Sequence, residues 1–157
     1  MMPNMKLLTA ALFELGTREK YGKAANDGKI VDWLKNVLPW ASEDEIPWCS
    51  AFMNAMAAGQ GLEHTGKANA RSWLEVGQEV GTPTPGDVVI FWRESPKSWK
   101  GHVGIYLNAD DYGNIYVLGG NQGNMVSVKA YPATRLLGYR RLRYLHEITE
   151  TDDTPDQ

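Results

Sequence analysis

Cys49 is the one thiol in this 157-residue chain. It stands in Pro47-Trp48-Cys49-Ser50-Ala51-Phe52, where an extended, proline-containing approach meets apolar residues at helical spacing. A thiol at a helix N-terminus faces unpaired backbone N–H groups and the positive end of the macrodipole, which favour thiolate and lower its pKa. That context makes Cys49 a candidate nucleophile. A lone cysteine can equally serve as a small buried hydrophobe, so the choice depends on what else the chain supplies.

A thiol hydrolase needs a histidine that takes the thiol proton and later protonates the leaving amine, and a polar group that fixes the imidazole. His64 lies in the polar stretch Gly61-Leu62-Glu63-His64-Thr65-Gly66 and His146 in the terminal segment, and both read as solvated residues. His102 opens Gly101-His102-Val103-Gly104-Ile105-Tyr106-Leu107. There Val103, Ile105 and Leu107 share one strand face, and His102, Gly104 and Tyr106 share the other. A glycine two residues from the histidine predicts open space beside the ring. The third group is expected from a neighbouring strand end, where Gly119-Gly120-Asn121-Gln122-Gly123-Asn124 follows Val117-Leu118. Asn121 offers a carbonyl to the imidazole N–H; the same residues also suit a plain hairpin loop.

The elements that must position these groups are legible from periodicity. Leu7, Leu8, Ala11, Leu12 and Leu15 predict a helix over 5–15, and Ile30 to Leu38 a second that stops before Pro39. A third is predicted over 48–58, ending at Gly59, and a shorter one over 68–76. The pattern then changes to strand-like runs at 88–92, 101–107, 115–118, 125–130 and 136–145. Helices first and an antiparallel sheet after them make an α+β domain, taken as residues 1–146. Residues 147–157, acidic and polar, read as a flexible tail.

Composition narrows the classes of function. A net charge of −3 with scattered Lys and Arg gives no basic field for nucleic acid. Three histidines and one cysteine without His-x-x-x-His or Cys-x-x-Cys spacing predict no metal site, and no cofactor is expected. No run approaches the ~20 apolar residues of a membrane span, and the first residues lack the pattern of a secretory signal.

The segments Pro47-Trp48-Cys49-Ser50-Ala51-Phe52, Pro85-Gly86-Asp87-Val88-Val89, Gly101-His102-Val103-Gly104-Ile105-Tyr106 and Gly119-Gly120-Asn121-Gln122 occur in an order that resembles the NlpC-like and CHAP superfamily of cysteine peptidases and amidases. The resemblance spans roughly residues 7 to 143. It extends to a phage and bacterial subgroup in which Ala70-Arg71-Ser72-Trp73-Leu74 and Leu136-Leu137-Gly138-Tyr139-Arg140-Arg141 recur. It implies a reduced papain-like fold, with Cys49 as nucleophile, His102 as general base and acid, and Asn121 as the orienting group. Many CHAP members carry an acidic residue two positions before this asparagine, where this chain has Gly119.

The implied activity is cleavage of an amide or peptide bond in peptidoglycan. A phage lysin, made in the cytoplasm and reaching the wall through a holin, is the first expectation. A secreted antibacterial effector with an immunity partner and a non-catalytic wall-binding module are the alternatives. A monomer is expected. Trp48, Trp73, Trp92, Trp99 and Gln122 are candidates to line the substrate groove, and Glu43, Asp44 and Glu45 to meet cationic groups of a stem peptide.

Overall fold

A computed structural model describes residues 1–20, 28–39 and 47–152. Three helices come first: α1 (Pro3–Leu12), α2 (Gly28–Lys35) and α3 (Cys49–Gly59). Pro3 sits in the first turn of α1, where its missing N–H costs nothing. A 3-10 helix at Ala70–Glu75 leads into six strands: β1 (Gln78–Val80), β2 (Val88–Trp92), β3 (Gly101–Ala109), β4 (Asn114–Gly119), β5 (Ser127–Pro132) and β6 (Leu136–Arg141). They form one antiparallel sheet in the order β1-β6-β2-β3-β4-β5. The helices-then-sheet order predicted from periodicity is the observed one. Three-residue β1, with two exposed residues, carries too short a pattern to be predicted. The acidic end continues as a helix, α4 (Leu145–Asp152), where the sequence suggested strand and then tail; residues 153–157, like Glu43, Asp44 and Glu45, lie outside the described residues.

The continuous apolar run of β2 reflects burial on both faces. Val88 and Ile90 join the core shared with the helices, which includes Leu7, Ile30, Phe52, Trp73, Val103 and Ile105. Val89 and Phe91 join a second cluster with Ile115 and Val117, edged by Tyr106, Tyr131 and Tyr139. Gly104 is therefore not beside open space, as its sequence context suggested. A Cβ there would strike the Val117 side chain, so the glycine exists to admit β4 rather than a ligand.

The Pro85-Gly86-Asp87 segment fastens the sheet. Gly86, at φ +99°, lies against the Asn4 carbonyl so closely that any side chain would collide with α1. Asp87 is fully buried and accepts two hydrogen bonds from Arg141 of β6, at 2.8 and 2.7 Å, plus one from the Thr84 N–H. A buried carboxylate held by a bidentate guanidinium is satisfied where it is, and this one joins β2 to β6. A second pair, Glu63–Arg143 at 2.9 Å, joins the segment after α3 to the chain after β6, and Glu63 also caps the Gly77 N–H.

Candidate active site

Cys49 is the first residue of α3, and no side chain caps that helix start. Its neighbours hold the turn from beneath. The Ser50 hydroxyl donates to the Lys67 carbonyl at 2.6 Å and accepts from the Trp73 indole at 2.9 Å, and the Trp48 indole donates to Glu19 at 2.7 Å. The thiol itself is half-buried. Burial pushes it up from its ordinary pKa, against the backbone N–H groups of Val103, Ser50 and Cys49 and the Arg93 guanidinium, which pull it down. The helix-start effect expected from sequence is present, and desolvation outweighs it.

His102 opens β3 opposite Phe91 and is buried. Its ring stacks on Tyr131 at 4.8 Å, and Tyr131 stacks in turn on Phe91 at 4.9 Å. Burial is the largest influence on it and, with Arg93 and Lys129 nearby, holds its pKa down to about 4, although the Gln122 bond works in the opposite sense. Burial thus works against charge on both the thiol and the imidazole, opposing the ion pair that a helix-start cysteine suggests.

The hydrogen bond to the imidazole comes from Gln122, and not from Asn121. Gln122 Oε1 lies 2.9 Å from His102 Nε2. The amide nitrogen of Gln122 donates to the carbonyls of Val117 at 3.1 Å and Ser127 at 2.7 Å, which leaves its oxygen facing the ring. Nε2 must then carry the proton, and Nδ1 is left as the base. Two glycines make this arrangement fit. A Cβ on Gly119 would lie 2.5 Å from Gln122 Oε1, and one on Gly120 would lie 2.7 Å from both Phe52 Cβ and the Trp48 ring. A side chain at position 119 would thus occupy the space that the Gln122 amide fills. Asn121 takes the left-handed conformation, φ +57°, that lets the chain reverse so that residue 122 points back under the histidine.

Cys49, His102 and Asn121 line one cleft of ≈ 230 Å³ together with Asn69, Ala70 and the exposed Trp99. His102 and Asn121 also border a second cleft, ≈ 340 Å³, whose walls include Trp92, Arg93, Lys129 and Arg135. Trp92 is thus at a groove, as expected. Trp48 and Trp73 have no exposed surface and are core residues, and Gln122 is 2% exposed and bonded to the histidine, so these three are not groove residues. His64 lies elsewhere, its Nδ1 2.8 Å from the Leu62 carbonyl, and exposed His146 stacks on Tyr144. Among the described residues no cluster of His, Cys, Asp and Glu is arranged to hold a metal ion, and no helix is long and apolar enough to cross a membrane.

The sequence matches the CHAP domain family over residues 41–121, half of the chain, a span that carries Cys49, His102 and Asn121. The protein belongs to the CHAP family. Papain-like α+β architecture follows: a cysteine at the start of a helix packed on the antiparallel sheet that carries the histidine. Among solved structures, a Staphylococcus aureus protein described as similar to a lipoprotein of the NLP/P60 family aligns at 19% identity with a TM-score of 0.49. The alignment covers 88% of this chain and 41% of that one, so this CHAP protein spans less than half of that neighbour's length. No curated protein matches the sequence.

Sequence reasoning missed Gln122 as the ring's partner, Tyr131 as the ring's support, and Arg71. The Arg71 guanidinium donates to the carbonyls of Lys100, Pro96 and Ser95 at 2.8–3.0 Å, tying down the loop that delivers His102. The Ala70-Arg71-Ser72-Trp73-Leu74 segment was visible as a recurring motif, but its purpose lies in contacts far along the chain.

Proposed function

We propose that this CHAP protein hydrolyses an amide or peptide bond of murein by a thiol mechanism in which Cys49 is the nucleophile, His102 the base and acid, and Gln122 the group that orients His102. The observation that carries the reading is that Cys49 and His102 share one cleft while a buried amide holds Nε2 of the imidazole. In the first step the Cys49 proton passes to His102 Nδ1 as sulfur attacks the carbonyl carbon. Backbone N–H groups of the first turn of α3 stabilise the oxyanion, and the imidazolium then protonates the leaving amine as the C–N bond breaks. Water, deprotonated by the same nitrogen, hydrolyses the thioester and restores the thiol. Burial disfavours a thiolate stored beforehand, and within this proposal His102 acts as a general base during attack.

Asn121, beside both reacting groups, is proposed to contact the substrate, as are Trp92 and Trp99. Within the same proposal the protein serves as a lysin, which co-expression with a pore-forming holin tests through lysis of the host culture. The direct test is incubation of purified murein with the protein, followed by mass spectrometry of the released fragments. New amine and carboxylate ends at one bond are expected, and they should be absent with Cys49→Ala. Intact murein after incubation with folded wild-type protein would overturn the hydrolase reading.

A further inference from the structure

The second cleft at His102 gathers three cations, one of which, Arg93, also lines the first cleft beside Lys100. Arg93 extends from the end of β2, Lys129 from β5 and Arg135 from the turn before β6, and all three side chains are exposed along its wall. Among the described residues no carboxylate lines it. None of the three cations is paired with an Asp or Glu among the described residues, although Glu94 next door is already engaged by Lys100 at 2.8 Å. Two of them rest on aromatic faces that set their positions: Lys129 lies 5.5 Å from the Tyr131 ring centre and Arg135 lies 5.2 Å from that of Trp92. A protein of net charge −3 has thus gathered three unneutralised cations beside its proposed base.

Such a cluster costs free energy through mutual repulsion, and it also disfavours the imidazolium that the reaction must form. An anion seated among the cations relieves both. The cleft shares Arg93, His102 and Asn121 with the one that holds Cys49, so a group bound there belongs to the same substrate, close to the bond under attack. Two guanidinium groups match the two oxygens of a carboxylate. We infer that this cleft is a subsite for a free carboxylate of the murein stem peptide, held by Arg93, Lys129 and Arg135 next to the cleaved bond.

This inference rests on the murein reading, and binding separates the two. The Cys49→Ala protein is titrated by calorimetry with a soluble stem tetrapeptide whose carboxylates are free and with the same peptide fully amidated. The free acid should bind at least tenfold more tightly, and its advantage should shrink with added salt. Lys129→Gln combined with Arg135→Gln, both at exposed positions and with an unchanged melting temperature as the control, should remove the difference between the two peptides. Equal affinity for the two forms, no binding of either, or undiminished discrimination in the double variant would overturn the subsite. So would inhibition by inorganic phosphate that matches the free acid, since that would make the cleft a site for wall phosphates. Failure of the wild type to cut murein, by contrast, would count against the hydrolase reading while leaving the acid-over-amide preference measurable.

Discussion

The two clefts that meet at His102 differ in what they are made of. The one holding Cys49 is bounded by Pro47, Ala68, Ala70, Gly101 and the Trp99 ring, with Arg93 and Lys100 at its edge. The other is walled by Arg93, Lys129 and Arg135. His102 thus borders both a cleft in which burial disfavours charge on the thiol and one lined by three cations. The proposed division of labour follows this difference: bond cleavage in the cleft that holds Cys49, recognition of an anionic neighbour in the one with three cations.

The largest effects should come from the cleft that holds Cys49. Cys49→Ala and His102→Ala should each lower kcat/KM on murein by about 10⁴-fold or more, as for other nucleophile–base pairs, whereas His64→Ala and His146→Ala should match wild type. Equal loss with His64→Ala would place the base in the wrong cleft. Next comes the ring's orientation. Gln122→Ala should lower kcat about a hundredfold with KM nearly unchanged, and Gln122→Glu should recover much of it while raising the His102 pKa. Asn121→Ala should act mainly on KM. If Asn121→Ala instead lost kcat while Gln122→Ala did not, the orienting role would return to Asn121.

That pair of variants also marks where legibility from sequence ended. Cys49 and His102 were readable because each is announced by its own neighbours, a helix start and an amphipathic strand. The ring's partner was not, because Asn121 and Gln122 both carry a side-chain amide whose oxygen can accept the imidazole N–H, and the sequence favoured Asn121. What separates them is the left-handed turn at Asn121 and the empty space at Gly119, both properties of a backbone folded back on itself. The absent acidic residue at position 119 was the available signal: it left a vacancy that a longer side chain could fill from the far side of the turn. The cationic cleft was unreadable for a similar reason, since its three members follow β2, lie in β5 and precede β6, and look scattered along the chain. The short edge strand β1 and helix α4 carried too little pattern to be recognised.

Smaller effects test the charge contrast through pH. Because burial raises the Cys49 pKa, its alkylation by iodoacetamide should be slow near pH 6 and climb with pH through the alkaline thiol range; a fast plateau at pH 6 would mean a preformed ion pair. His102 is depressed to about 4 in the folded protein, so between its unfolded pKa near 6.5 and 4 the unfolded chain binds the extra proton. Stability is then whole above pH 6.5 and falls as pH drops through that window, by about 3 kcal/mol for this one group, visible as a declining melting temperature. Replacing His102 with Gln should flatten that decline. Gly120→Ala should cost about 1–3 kcal/mol by overpacking the Trp48–Phe52 contact.

The central claim, that catalysis passes through sulfur, is tested most directly by intact-protein mass spectrometry of wild-type enzyme quenched in acid during turnover of a murein stem peptide. The account predicts an added mass equal to the acyl half of the substrate, mapped by proteolysis to the peptide containing Cys49 and missing in Cys49→Ala. Undiminished turnover by the Cys49→Ala protein, or an adduct on any other residue of the wild type, would contradict it.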